Sequence, residues 1–211
     1  MSQAEKDLLN NPPEKVVLMY DAVVNLINEN SNINAMKVVD ITTRAGIGKG
    51  TAYEYFSSKE EIITKALMFD TMKKMQSLKN IADSESKFEQ KVMGVLDFIA
   101  DNFHENRSFC QLFKISMAAY DVTDRFYQEF EKVQDIVNCR QMEEIQDQIM
   151  ETAAKEGLIT EANIMKRRMT FNSQVISYSL LLLMEQKNTA MGMTRENGKQ
   201  FVLESIIKVL N

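Results

Sequence analysis

The chain has 211 residues, enough for one large or two small domains, and 45% of them are hydrophobic, an ordinary share for a protein with a full core. Two prolines, both before residue 14, seven glycines and fifteen methionines point to an all-α fold. A single histidine and two cysteines without metal-ligand or redox spacing leave no basis for a metal site, a cofactor or a catalytic centre.

The net charge of −5 divides unevenly: residues 1–80 hold ten Lys/Arg and ten Asp/Glu, whereas residues 81–211 hold fifteen and twenty. A neutral N-terminal part can still bind nucleic acid if its bases cluster, because local potential matters more than the total. No basic-then-apolar segment opens the chain. The longest apolar run, Val175–Met184, is interrupted by Ser177 and Ser179 and falls short of the roughly 18 residues of a membrane span. A soluble cytoplasmic protein is expected, with Cys110 and Cys139 as buried reduced thiols.

Residues 1–10 are polar and read as a frayed end. Asn11-Pro12-Pro13-Glu14 predicts a helix start with Asn at N-cap, Pro at N1 and Glu at N3. That helix carries Val16, Tyr20, Val23 and Ile27 on one face and ends in the polar cluster Asn28–Asn32. Val38, Ile41 and Ala45 set a second helix, which Gly46 must stop, since glycine enters the left-handed C′ conformation without steric cost. Ile47 gives the turn an apolar residue to bury, and a third helix comes next over Gly48–Tyr55. Two short helices across a glycine turn are the helix-turn-helix signature, whose second helix enters a DNA major groove. Its outward residues are expected to be Lys49, Thr51, Ala52, Tyr53 and Tyr55, with Phe56 plugging the core beneath.

Ser57-Ser58-Lys59-Glu60-Glu61 holds two overlapping capping boxes, Ser57/Glu60 and Ser58/Glu61, so a fourth helix begins there. Lys59 sits in its first turn, where a cation opposes the helix dipole. It either meets a DNA phosphate together with the free amides of that turn or is a solvated lysine. The run GIGKGT is not a phosphate-binding P-loop: Gly50 separates Lys49 from Thr51, and the preceding residues have a helical period rather than a strand's.

The ordered set G-I-G-K-G-T-A-Y-E-Y-F-x-x-K-E-E resembles the DNA-binding signature of the tetracycline-repressor (TetR) family of bacterial regulators. Ile41, Ala45, Gly46, Lys49, Gly50, Thr51, Tyr53, Tyr55, Phe56, Lys59 and Glu60 match it. Gly48 stands where the family often has a serine N-cap, and Thr42 where alanine is common; glycine still caps tolerably. The resemblance implies that Thr51, Tyr53, Tyr55 and Lys59 face DNA, and Thr42, Lys49 and Gly50 complete the candidate DNA-binding set. It covers about the first quarter of the chain.

The fourth helix, from about Ser58 to Lys79, carries Ile62, Ala66, Phe69, Met72 and Met75 and links the head to the remaining helices. After a polar break at Asp83–Ser86, Phe88, Val92, Leu96, Ile99 and Phe103 form the next stripe. Gly94 interrupts it at a cost of about 1 kcal/mol against alanine, either for close helix packing or for ligand space. Phe109, Leu112, Phe113, Ser116, Met117 and Tyr120 mark another helix. A single helix capped by Thr123 and ended by Gly157 is expected to carry Phe126, Phe130, Val133, Val137, Ile145 and Ile149. Arg140 and Gln141 on that face either meet a ligand or snorkel to the surface. From Val175 to Met184 the eighth helix is apolar on every side and must be covered all round. The ninth, from about Thr194, presents Phe201, Val202, Ile206, Val209 and Leu210.

The expected architecture is thus all-α, about nine helices: a helix-turn-helix DNA-binding domain over residues 1–58, then a helical effector-binding and dimerisation domain over 59–211. The resemblance implies an intersubunit bundle of the last two helices, with Leu182, Phe201 and Ile206 at the homodimer interface. The methionines and aromatic residues suit an adaptable apolar cavity, with Phe103, Phe109, Phe113, Met117, Tyr120, Arg140, Gln141 and Tyr178 as candidate ligand contacts. The leading reading is a dimeric regulator, a repressor of a palindromic double-stranded operator, released by a small, mainly apolar molecule. The alternative is an architectural or partner-recruiting DNA-binding protein without an effector. An enzyme is not expected: His104 lies on a polar stretch and reads as a surface residue.

Overall fold

Every regular element in the computed structural model is an α-helix among the described residues, which are 3–29, 31–117, 123–134, 139–186 and 192–211; residues 3–6, 134, 139, 140 and 186 are described by backbone alone. The helices are α1 Gln3–Asn10, α2 Glu14–Asn28, α3 Val38–Ala45, α4 Lys49–Tyr55, α5 Lys59–Asp83, α6 Phe88–Glu105, α7 Arg107–Ser116, α8 Asp124–Gln134, α9 Cys139–Lys155, α10 Ile164–Gln186 and α11 Arg195–Val209. Two compact units divide them: Met1–Lys74 with Asn106–Cys139, and Met75–Glu105 with Arg140–Asn211. None of these helices is long and apolar enough to cross a membrane.

In the first unit, Gln3–Asn10 is helical rather than frayed. Leu9 is buried in the core, and the Leu8 carbonyl accepts the Tyr20 hydroxyl at 3.0 Å. One buried leucine and a partner for a buried phenol outweigh the polar composition of this end. The start of α2 also differs from expectation. Pro13, not Asn11, is the N-cap (φ −57°, ψ 153°), and its carbonyl accepts from the amides of Val16 and Val17. The second proline is the reason: a residue before proline is pushed out of the α region, so Pro12 cannot open the helix.

α2 buries Val16, Tyr20, Val23 and Ile27 as expected, together with Met19 and Ala22. The Tyr20 ring meets Phe56 and Phe69 at centroid distances of 6.0 and 5.3 Å, within the range of favourable tilted pairs. α3 ends at Gly46 with φ 68°, and the amides of Gly46 and Ile47 close onto Thr43 and Thr42. Beyond α7, residues 118–122 lie outside the described set. The single helix expected from Thr123 to Gly157 is described as α8 and α9, with residues 135–138 (Val137 among them) likewise outside it.

In the second unit, Lys91 is buried and donates to the Ala82 carbonyl at 2.6 Å, so the last turn of α5 is closed by a cation. The Phe88 amide at the head of α6 donates to Glu156. Gly157, at φ 71°, ends α9, and the amides of Thr160 and Glu161 both donate to the Leu210 carbonyl beyond α11. Arg168 on α10 holds Asp147 and Glu143 on α9. Gly94 serves close packing: a Cβ there would lie 3.3 Å from the Ile81 side chain. Gly198 is tighter still, since its Cβ would fall 2.7 Å from Leu181 Cδ2 and 3.4 Å from the Tyr178 ring. Leu181 and Tyr178 are themselves buried, so a shift of either is felt by the core around it. Gly198→Val is therefore expected to lower stability by about 1–3 kcal/mol, the range of an overpacked core. Urea unfolding checks it: a stability equal to the parent's would mean that this contact is loose.

Candidate DNA-binding interface

Gly48, extended at φ −68° and ψ 142°, turns the chain directly from the α3 exit into α4. Phe56 ends α4, is buried, and donates its amide to the Ala52 carbonyl. Ala52 is one turn before Phe56 and shares its inward face, so it is fully buried and does not belong to the outward set. Lys49, Gly50, Tyr53 and Glu54 are exposed; Thr51 and Tyr55 are half-covered, with Tyr55 packed at the edge of the core. The Lys49 ammonium lies 5.8 Å from the Tyr53 ring centroid, a cation–π approach on the open face of the helix.

Thr42 differs from the rest of its set. It is buried on α3, and its hydroxyl donates to the Val39 carbonyl at 3.3 Å, so its side chain is not presented at the surface.

Lys59 is held by backbone carbonyls rather than free in solvent. Its Nζ donates to the Asn34 carbonyl at 2.6 Å and the Met36 carbonyl at 3.2 Å, with a Glu60 oxygen at 4.0 Å. One expected capping box is half realised. The Ser58 hydroxyl accepts from the Glu61 amide at 3.1 Å, but the Glu61 carboxylate reaches past Ser58 to the Ser57 amide and hydroxyl, both at 2.8 Å.

Glu61 also holds Lys65 at 2.6 Å, and the Lys65 ammonium lies 5.8 Å from the Phe56 ring centroid. Burial pushes the Glu61 carboxyl up, but the bonds from Lys65 and Ser57 outweigh it and keep the carboxyl below its ordinary value. Sequence reasoning missed this pair. Its signal is the Glu–Lys spacing of four on one helix, with Lys65 lying among the apolar residues Ile62, Ala66 and Phe69. An open cleft of about 600 Å³ lies beside the recognition helix, lined by Asn34, Lys37, Val39, Lys49, Tyr53, Ser57 and Lys59 among others.

The candidate effector contacts fall in both units. Phe109 and Phe113 are half-buried on α7 and Met117 is exposed at its end, all in the first unit. Phe103 and Tyr178 are buried, and Gln141 half-buried, in the second unit. Tyr120 lies outside the described residues, and Arg140 is described by backbone alone. The Tyr178 hydroxyl is buried without a hydrogen-bond partner among the described residues. Of the interface candidates, Leu182 and Ile206 are buried within the protomer, whereas Phe201 is 55% exposed. His104 is exposed.

Among the described residues the chain is a helix-turn-helix head followed by further α-helices. Residues 21–66, which span most of α2 and all of α3 and α4, match the family model of the bacterial regulatory proteins of the tetR family. The match places this helix-turn-helix segment in the tetR family.

Solved structures with the same fold cover nearly all of it. FadR from Bacillus subtilis, a transcriptional regulator in complex with stearoyl-CoA, is 17% identical with a TM-score of 0.62 over 92% of this chain and 96% of its own. The fatty acid degradation regulator FadR from Bacillus halodurans is 16% identical with a TM-score of 0.59 over 94% and 96%. Reduced NemR from E. coli is 16% identical with a TM-score of 0.63 over 91% and 96%. No curated protein sequence matches the chain.

Proposed function

We propose that this regulator is a repressor that binds a palindromic operator as a homodimer and is released by a small, mainly apolar molecule. The observation that carries the DNA-binding part is the α4 surface: Lys49, Gly50 and Tyr53 stand exposed on a short helix whose other face is locked by Ala52 and Phe56. Such a rigid, acid-poor face suits base-edge readout, with Glu54 its one carboxylate. Residues 1–58 would then form the DNA-binding part and 59–211 the effector and dimerisation part. α5 begins at the end of the helix-turn-helix and continues into the second unit, so it is the natural carrier of a response.

Support for dimerisation comes from the open faces of α10 and α11. Met165, Met169, Ile176 and Leu180 recur at helical spacing on α10, and Phe201 and Val209 on α11, all exposed. Support for an effector is the Tyr178 hydroxyl, a buried donor with no partner among the described residues. Because one relative was solved with stearoyl-CoA, long-chain acyl thioesters and fatty acids are the first compounds to try.

The test is operator selection from random DNA with the full-length protein, repeated with each compound. A selected palindrome whose affinity falls with one compound, and whose presence weakens that compound by the same factor, supports the reading. Selection that enriches no sequence would defeat it.

A further inference from the structure

The open stripe of α10 is symmetric about its middle. At about 100° per residue, Met165, Met169, Ile176 and Leu180 fall within about 60° of one another around the helix, and all four are exposed. Met165 and Leu180 stand equally far from the Asn172–Ser173 step, as do Met169 and Ile176. At that midpoint the apolar run is broken by Asn172 and Ser173, both exposed. The Asn172 amide is anchored from α9: its Oδ1 accepts from Nε2 of Gln146, a buried residue of the same unit, at 2.6 Å. That is the one hydrogen bond of the Gln146 side chain among the described residues, and its own Oε1 is buried without a partner there. Gln146 thus fixes the orientation of the Asn172 amide. The Asn172 Nδ2 donors, unpartnered among the described residues, and the second lone pair of Oδ1 remain open on the exposed face.

A face with symmetric spacing, carrying a donor and an acceptor together at its midpoint, is complementary to itself under a two-fold rotation. Two copies of α10 crossing antiparallel at Asn172 bring Met169 of one onto Ile176 of the other, and Met165 onto Leu180. The crossing opposes the helix dipoles and lets the two amides exchange a pair of N–H···O bonds. A slip of one turn either way sets Asn172 against Met169 or Ile176 instead and buries its donors without a partner.

We infer that α10 meets its own copy antiparallel at Asn172, where the two amides pair across the two-fold axis, and that this polar centre sets the register and confines the stripe to a second copy of this chain. The inference rests on the dimer reading above. An apolar stripe alone accepts several registers and many apolar partners; one polar pair at its centre rejects those that cannot answer it.

Disulfide cross-linking of full-length variants tests it, with the parent's own thiols as the blank. A disulfide needs Cα atoms within about 7 Å. Asn172→Cys is expected to cross-link to itself. In an antiparallel crossing Met169→Cys and Ile176→Cys each sit about 10 Å along the helix from their own copy, so they are expected to link only when the two proteins are mixed. Self-linking of Met169→Cys or Ile176→Cys would mean a different crossing and overturn the assignment.

Sedimentation supplies an independent arm. Asn172→Asp keeps the side-chain shape and the acceptor for Gln146, so the helical content of the parent should be retained, but it sets two carboxylates face to face at the axis. Self-association is expected to weaken by about 100-fold or more. A variant dimer as tight as the parent's would remove Asn172 from the axis. A parent that is monomeric at micromolar concentration takes away the dimer reading and this inference with it, whereas a dimeric parent whose Asn172→Cys variant fails to cross-link overturns the register alone.

Discussion

Replacing Lys65 by methionine is expected to destabilise the first unit by about 3–5 kcal/mol, the cost of leaving one partner of a buried ion pair uncompensated. The side chains are 3% and 11% exposed for Lys65 and Glu61, and Nζ lies 2.6 Å from Oε1. Without the ammonium, the carboxylate either stays charged in a poorly solvated place or takes up a proton, and then loses one of its bonds to Ser57. The double variant Glu61→Gln with Lys65→Met should recover most of the loss. A neutral pair of similar shape needs little desolvation, and the Gln oxygen can still accept from Ser57. Urea unfolding of the three proteins tests the argument, with equal m-values required for the comparison. A loss below about 1 kcal/mol for Lys65→Met would put the pair in the class of surface bridges.

The same geometry sets the sign of the pH dependence. The folded Glu61 carboxyl lies below its ordinary value of 4.5, so its contribution is fully present above that value and is lost as pH falls through the folded one. The gap between parent and Lys65→Met should hold at neutral pH and narrow only in acid.

Much of the head was legible because local rules and tertiary packing agree there. Gly46 stops α3 where the left-handed cap requires it, and Phe56 sits under the recognition helix as the apolar spacing demands. The readings that differ are those that a partner far along the chain decides. Lys59 could be assigned to phosphate or to solvent from sequence, while its acceptors, Asn34 and Met36, lie more than twenty residues upstream. Leu9 reads as part of a polar end until Tyr20, folded back against Leu8, supplies a reason for helix there. Gly94 had two readings, and the Ile81 side chain, on another helix, decides for close packing. The apolar run of α10 implied covering on all sides but could not say by what. Leu182 and Tyr178 are buried within the protomer, while Ile176 and Leu180, between and beside them, remain exposed.

That last division sets how the dimer must be tested. Leu182 and Ile206 are buried in the protomer, so a glutamate at either position would place an unpaired charge in the second unit and unfold it, whatever the oligomeric state. Met169, at 65% exposure, and Phe201, at 55%, can carry charge without that penalty. Met169→Glu with Phe201→Glu is therefore expected to keep the parent's helical content and melting behaviour while sedimenting as a monomer. A two-fold dimer must span half-sites roughly 34–36 Å apart, and its second contact is effectively intramolecular. Losing it should weaken binding to the full palindrome by about 10²–10⁴-fold, while affinity for an isolated half-site stays near that of the parent. The half-site comparison separates loss of pairing from damage to α4, because damage would lower both affinities together. A variant that remained dimeric would move the interface away from this stripe. A parent that was monomeric at micromolar concentration, yet bound the palindrome as tightly as two coupled heads should, would remove the dimer from the proposal altogether.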